Sequence, residues 1–110
     1  MSALEEVAAE RARQDVKWGQ QNHPDGTGVE AEVVPLWMAE DFADWAKATT
    51  DAAASAGNVT WRDILLEEVA EAFAESDVDR LRTELIQVAA VATQWVEAID
   101  RRNAVPEPPC

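Results

Sequence analysis

The chain has 110 residues, and its 22 Asp+Glu against 9 Lys+Arg give a formal net charge of −13. That balance excludes nucleic acid and anionic membrane surfaces as partners, because both need a basic face; a nucleotide stays possible if a divalent cation bridges acid to phosphate. With 47% hydrophobic and 28% charged residues the composition is globular, and the length accommodates one core.

Hydrophobic periodicity predicts an all-α domain of four helices over residues 1–103, followed by a flexible Pro-rich tail over 104–110. Helix one should run from about residue 3 to 18, with Ser2 and Glu5 as a capping box and Gly19 as its C-terminal cap. Next comes Gly-Gln-Gln-Asn-His-Pro-Asp-Gly-Thr-Gly, residues 19–28, part of an aperiodic loop reaching about residue 34. A loop of this length in so small a domain usually binds something. Helix two should start near Pro35, a favoured first-turn residue, carry Trp37, Phe42 and Trp45, and end near Ala56. Helix three should open at Thr60 with Asp63 as its box partner and close near Glu75. Ser76 and Asp79 suggest a third box, so helix four follows at once and runs to about Arg102. The short linker makes helices three and four an antiparallel hairpin.

On a wheel of about 100° per residue, Glu68 falls inside the apolar arc of helix three, between Trp61 and Ile64, with Glu71 at its edge. Glu84 falls inside the apolar arc of helix four near Trp95 and Val88, and Gln87 borders it. Each helix therefore stacks a polar pair at i, i+3 on the face turned to the other. Clustered, half-buried carboxylates are costly unless a cation compensates them, and oxygen-only ligands suit a hard ion such as Mg²⁺. The run Leu-Glu-Glu-Val-Ala-Glu alone equally fits an ordinary solvated helix face, and periodicity leaves the two readings open.

The residues Leu66-Glu67-Glu68-Val69-Ala70-Glu71, with Glu84-Leu-Ile-Gln87 twelve residues later, resemble the EExxE…ExxD signature of the all-α NTP pyrophosphohydrolases, the MazG and dimeric dUTPase superfamily. Residues 10–23, followed by Pro-Asp-Gly-Thr-Gly28, are similar to the opening of MazG-like proteins of actinobacteria and their phages, and the likeness covers most of residues 10–102. The resemblance implies a MazG-like bundle and Mg²⁺-dependent hydrolysis of a (d)NTP to a nucleoside monophosphate and pyrophosphate, with Mn²⁺ as a substitute ion. Glu68, Glu71 and Glu84 match the metal ligands, and Glu67 matches the leading acid that supports metal or water. Gln87 departs from the pattern, since an amide replaces the family's Asp; its oxygen can still ligate, but one charge is lost. Arg80 matches a basic position near the phosphates.

Lys17 and Arg62 are further candidates for phosphate, Trp18 for stacking on a base, and His23 for sugar or phosphate. Trp37, Trp45 and Trp95 read as packing residues. The shortage of core for the apolar residues of helices two and four, together with the resemblance, implies a homodimer or tetramer with the nucleotide pocket between subunits. Two alternatives remain: a MazG-like nucleotide- or metal-binding protein with weak or no turnover, and a helical interaction protein. The only cysteine, Cys110, excludes an intrachain disulfide and suits the cytoplasm. No apolar run nears the roughly 20 residues of a membrane span, and the N-terminus lacks the basic opening of a signal peptide.

Overall fold

Side-chain caps mark where three of the four described helices begin. In the computed structural model, which describes residues 1–34 and 37–104 (Val33 and Val34 by backbone alone), α1 (Ala3–Trp18) starts behind Ser2. The Ser2 hydroxyl accepts from Glu5 N, and the Glu5 carboxylate accepts from Ser2 N, each at 3.1 Å. Gly19, at φ 67°, ends the helix by donating to the Asp15 carbonyl. α3 (Trp61–Ala74) begins with the same reciprocal pair, formed by Thr60 and Asp63 at 3.1 Å each. Both boxes read from the sequence are present.

The third is not. α4 (Val78–Asn103) is capped by Asp77, whose carboxylate accepts from Arg80 N at 2.9 Å and whose carbonyl accepts from Leu81 N. The Ser76 hydroxyl instead accepts from Val29 N at 3.3 Å, 47 residues away in sequence. Beside it Gly28 N donates to the Phe73 carbonyl at 2.9 Å. The Gly-Thr-Gly end of the long loop is therefore latched onto the last turn of α3, whose C-terminal carbonyl it satisfies. Gly28 sits at φ 130°, a backbone conformation that L side chains rarely adopt, and this is what favours glycine there; an added Cβ would lie 3.4 Å from Ser76 Oγ, close to an ordinary contact.

Helix two is shorter than the sequence suggests. β1 (Glu32–Val34) and β2 (Trp37–Met38) form an antiparallel ribbon pairing Glu32 with Met38 and Val34 with Trp37, and α2 (Ala39–Ser55) starts after it. Trp37 thus belongs to a strand, not to helix two. Pro35, the expected first residue of that helix, lies outside the described residues, as do residues 105–110 of the tail. Trp37, Phe42 and Trp45 form an aromatic trio with ring centroids 5.3 to 6.1 Å apart.

α2 and α3 pack against each other. The residues they bury are small, Ala39, Ala46 and Thr50 on α2 with Ala70 and Ala72 on α3, which lets the backbones approach closely. The Thr50 hydroxyl donates to the Asp63 carbonyl at 3.1 Å and fixes the level at which the two helices meet. Two compact units can be distinguished: Asp25–Ala92, and Met1–Pro24 together with the chain from Thr93 onward. Among the described residues the buried hydrophobics are Ala3, Ala39, Ala46, Ala70, Ala72 and Leu81, and no large side chain is fully buried. No described helix is long and apolar enough to cross a membrane.

Candidate metal centre

Glu68 lies six residues before the end of α3, and Glu84 six residues after the start of α4, so the three-residue turn Glu75–Asp77 brings them face to face. One helical turn along α3 adds Glu71 on the same side. One carboxylate oxygen from each of Glu68, Glu71 and Glu84 lies within 4.8 Å of the other two, and all three residues are half-buried.

The electrostatics follow from that crowding. Desolvation, then the charges of Glu84 and Glu67, holds the Glu68 carboxyl above its ordinary range. Glu71 is pushed up from 4.5 to about 7, first by desolvation and then by Glu68, Glu84 and Glu67. Glu67 therefore takes part through its charge. Gln87, one turn beyond Glu84, completes the cluster. With its nitrogen turned toward the acids, its amide donates to Glu68 Oε2 and to Glu84 Oε2 at 3.1 Å each. The exposed amide thus acts as a donor bridging two like charges.

Lys47 is the residue the sequence reading missed. It stands on α2, pairs with Asp51 at 3.5 Å, and is the one cation whose field lowers the Glu71 pKa. The signal was available: five residues, 56–60, link α2 to α3, and such a short link turns the second half of α2 back along the acidic run.

The remaining candidates fall elsewhere. Arg62 and Arg80 are exposed in the first turns of α3 and α4, and among the described residues neither forms an ion pair. Lys17, Trp18 and His23 belong to the unit containing α1. The Lys17 ammonium lies 5.0 Å from the Trp18 ring centroid, and His23 Nε2 is 2.8 Å from Gln21 Oε1. Trp18 lines a surface cavity of about 510 Å³ together with Arg11, Gln14, Asp15 and residues 19–21. A smaller one of about 260 Å³ lies among Asp25, Gly26, Thr27, Glu32 and Phe73 in the other unit. Comparisons with known protein families, with curated proteins and with solved structures find no match.

Proposed function

We propose that this chain is a Mg²⁺-dependent nucleoside triphosphate pyrophosphohydrolase of the MazG-like kind, cleaving the α–β phosphoanhydride of a (d)NTP to a nucleoside monophosphate and pyrophosphate. The observation that carries the reading is the convergence of Glu68, Glu71 and Glu84 from two helices onto one point. The donor set is all oxygen and anionic, as a hard cation requires, and its 4.8 Å spread is close to the roughly 4.2 Å between opposite oxygens around Mg²⁺. When bound, Mg²⁺, or Mn²⁺ in its place, neutralises the phosphate chain and acidifies a coordinated water.

The chain's own residues do the rest. Glu68, Glu71 and Glu84 hold the cation, and Glu67 adds negative potential behind them. Glu67, the acid of the cluster not assigned to the cation, is the carboxylate left to accept the proton of the attacking water. That water adds to one phosphorus of the bridge, and the bridging oxygen departs with the other product. Lys47, and Arg80 or Arg62 from the starts of α4 and α3, supply positive charge for phosphate oxygens; in the unit containing α1, Lys17 is a candidate for phosphate, Trp18 for the base, and His23 for sugar or phosphate. The reading includes a cytoplasmic setting and a homodimer or tetramer.

Gln87 favours a second reading. Its donated hydrogen bonds stabilise the acids without metal, as expected of a nucleotide- or metal-binding relative with little turnover. Pyrophosphate release over the eight common (d)NTPs with Mg²⁺, against an EDTA control and Glu84→Gln, separates the two. EDTA-sensitive release lost in Glu84→Gln supports the enzyme. Mg²⁺ binding without release supports the second reading.

A further inference from the structure

One face of α1 carries a polar row that ends on an aromatic ring. Arg11, Gln14, Asp15 and Trp18 stand three and four residues apart along the helix, so all four share that face. Arg11 Nη1 donates to Gln14 Oε1 at 2.7 Å and Nη2 to Asp15 Oδ1 at 2.8 Å, which holds the guanidinium from two sides. An exposed ion pair at i, i+4 contributes little to stability by itself. What sets this pair apart is the space beside it. Together with residues 19–21, the row lines a cavity of about 510 Å³, within the size range of small-ligand sites. Trp18 forms part of the wall and is 56% exposed, so its ring is not spent on a core. Every lining residue lies within Met1–Pro24, on one side of the division between the two units.

We propose that this cavity binds a guanine base carried on a small nucleoside or nucleotide. A guanidinium only donates hydrogen bonds and an ionised carboxylate only accepts them. Taken from Arg11 across Asp15, the row therefore offers a donor at Nη2, then acceptors at Oδ1 and Oδ2. Nη2 has a second N–H beyond the one given to Asp15, and Oδ1 can accept a second bond. Guanine presents the complement in the same order along its pairing edge: O6 accepts, N1–H donates, and the 2-amino group donates. Each other base fails at an atom that can be named. Uracil and thymine set a carbonyl against Oδ2, cytosine sets N3 against Oδ1, adenine satisfies two of the three positions, and hypoxanthine lacks the third group. The Trp18 ring supplies a stacking surface that any base can use, so the row and not the ring selects. The formal net charge of −13 turns polynucleotides away and leaves a small ligand. This inference goes beyond the hydrolysis proposed above and does not rest on it, because it concerns binding in one unit alone.

Calorimetric titration of the full chain with nucleoside monophosphates tests this, in EDTA so that the acids of α3 and α4 hold no metal. Guanosine monophosphate should bind about tenfold more tightly than inosine monophosphate, which lacks only the 2-amino group, and than 1-methylguanosine monophosphate, whose central donor is blocked. The adenosine, cytidine and uridine monophosphates should bind no better than the inosine compound. Equal affinity for the guanosine and inosine compounds, or no binding of the guanosine compound at millimolar concentration, overturns the guanine site and leaves hydrolysis untouched. Asp15→Asn replaces one acceptor by a donor, so its preference should turn to xanthosine monophosphate, whose C2 carbonyl stands where guanine carries its amino group. A merely structural role for Asp15 produces no such switch, and its absence overturns the donor–acceptor order. Trp18→Ala should weaken the guanosine and inosine compounds by the same factor, with helix content retained in circular dichroism. Guanosine monophosphate binding unchanged in both variants would put the base elsewhere and overturn the site.

Discussion

Gln87 reaches from α4 to Glu68 on α3 and, with its amide oriented so that the nitrogen faces the acids, stands 3.1 Å from Glu68 Oε2 and equally far from Glu84 Oε2. A neutral donor at this point holds two like charges together without cancelling either. Gln87→Asp removes the donor and adds a charge, so it should lower the metal-free melting temperature by several degrees, about 1 kcal/mol for exposed hydrogen bonds to charged acceptors. The same change should tighten Mg²⁺ binding. Melting in EDTA and calorimetric titration with Mg²⁺ read the two effects; tighter binding without the metal-free loss would deny the amide its bridging role.

The acids themselves should exchange one form of stability for another. With EDTA, Glu68→Gln should melt higher than the wild type, because repulsion and desolvation of one carboxylate disappear. With millimolar Mg²⁺ the wild type should gain stability as RT ln(1 + [Mg²⁺]/Kd), and the mutant should gain little. Parallel melts in the two buffers decide this. Identical gains in both proteins would mean that these carboxylates hold no ion.

Glu71 sets a pH dependence with a definite sign. Its carboxyl is at about 7 in the folded chain against 4.5 unperturbed. Between those values the folded chain keeps a proton that the unfolded chain has released. This contribution to stability is complete below about 4.5, falls as pH rises, and is gone above about 7. In metal-free protein Glu71→Gln should flatten that decline, and Lys47→Met should extend it to higher pH by removing the cation that opposes the shift. Denaturation midpoints from pH 5 to pH 8 provide the comparison.

Asp77 and Ser76 are adjacent but do different work. Asp77→Ala should cost about 1 kcal/mol, the usual loss at an N-cap. Ser76→Ala should leave the start of α4 intact and release Val29 N, which amide exchange detects as faster exchange at Val29 without change at Arg80. Equal losses of α4 protection in both mutants would contradict the assignment of the cap.

How much of this could be read in advance depended on range. Ser2 with Glu5, Thr60 with Asp63, and Gly19 act within one helical turn, so four neighbouring residues suffice to recognise them. Glu68, Glu71 and Glu84 were legible for the same reason, since i, i+3 stacking and a three-residue turn are local facts. Ser76 looked like a cap because nothing nearby announces that Val29 claims its hydroxyl. The β1–β2 ribbon escaped because strands of three and two residues are too short for alternation to register. Lys47 required knowing that α2 folds back along α3. The acids are half-buried because, among the described residues, the chain supplies mostly alanines to cover them.

The aromatic trio has an optical consequence. The indoles of Trp37 and Trp45 are 5.5 Å apart, with planes inclined at 55°. Two identical chromophores so close, and neither parallel nor perpendicular, share their excitation and give a split, two-signed band in far-ultraviolet circular dichroism. The α-helices absorb strongly in the same region, so the couplet is read as the difference between the wild type and a variant lacking one of the two indoles, and it then labels the junction of β2 and α2. Trp45→Phe should abolish the couplet while sparing helical ellipticity. During heating, disappearance of the couplet before the helical signal would report that the ribbon leaves α2 ahead of global melting.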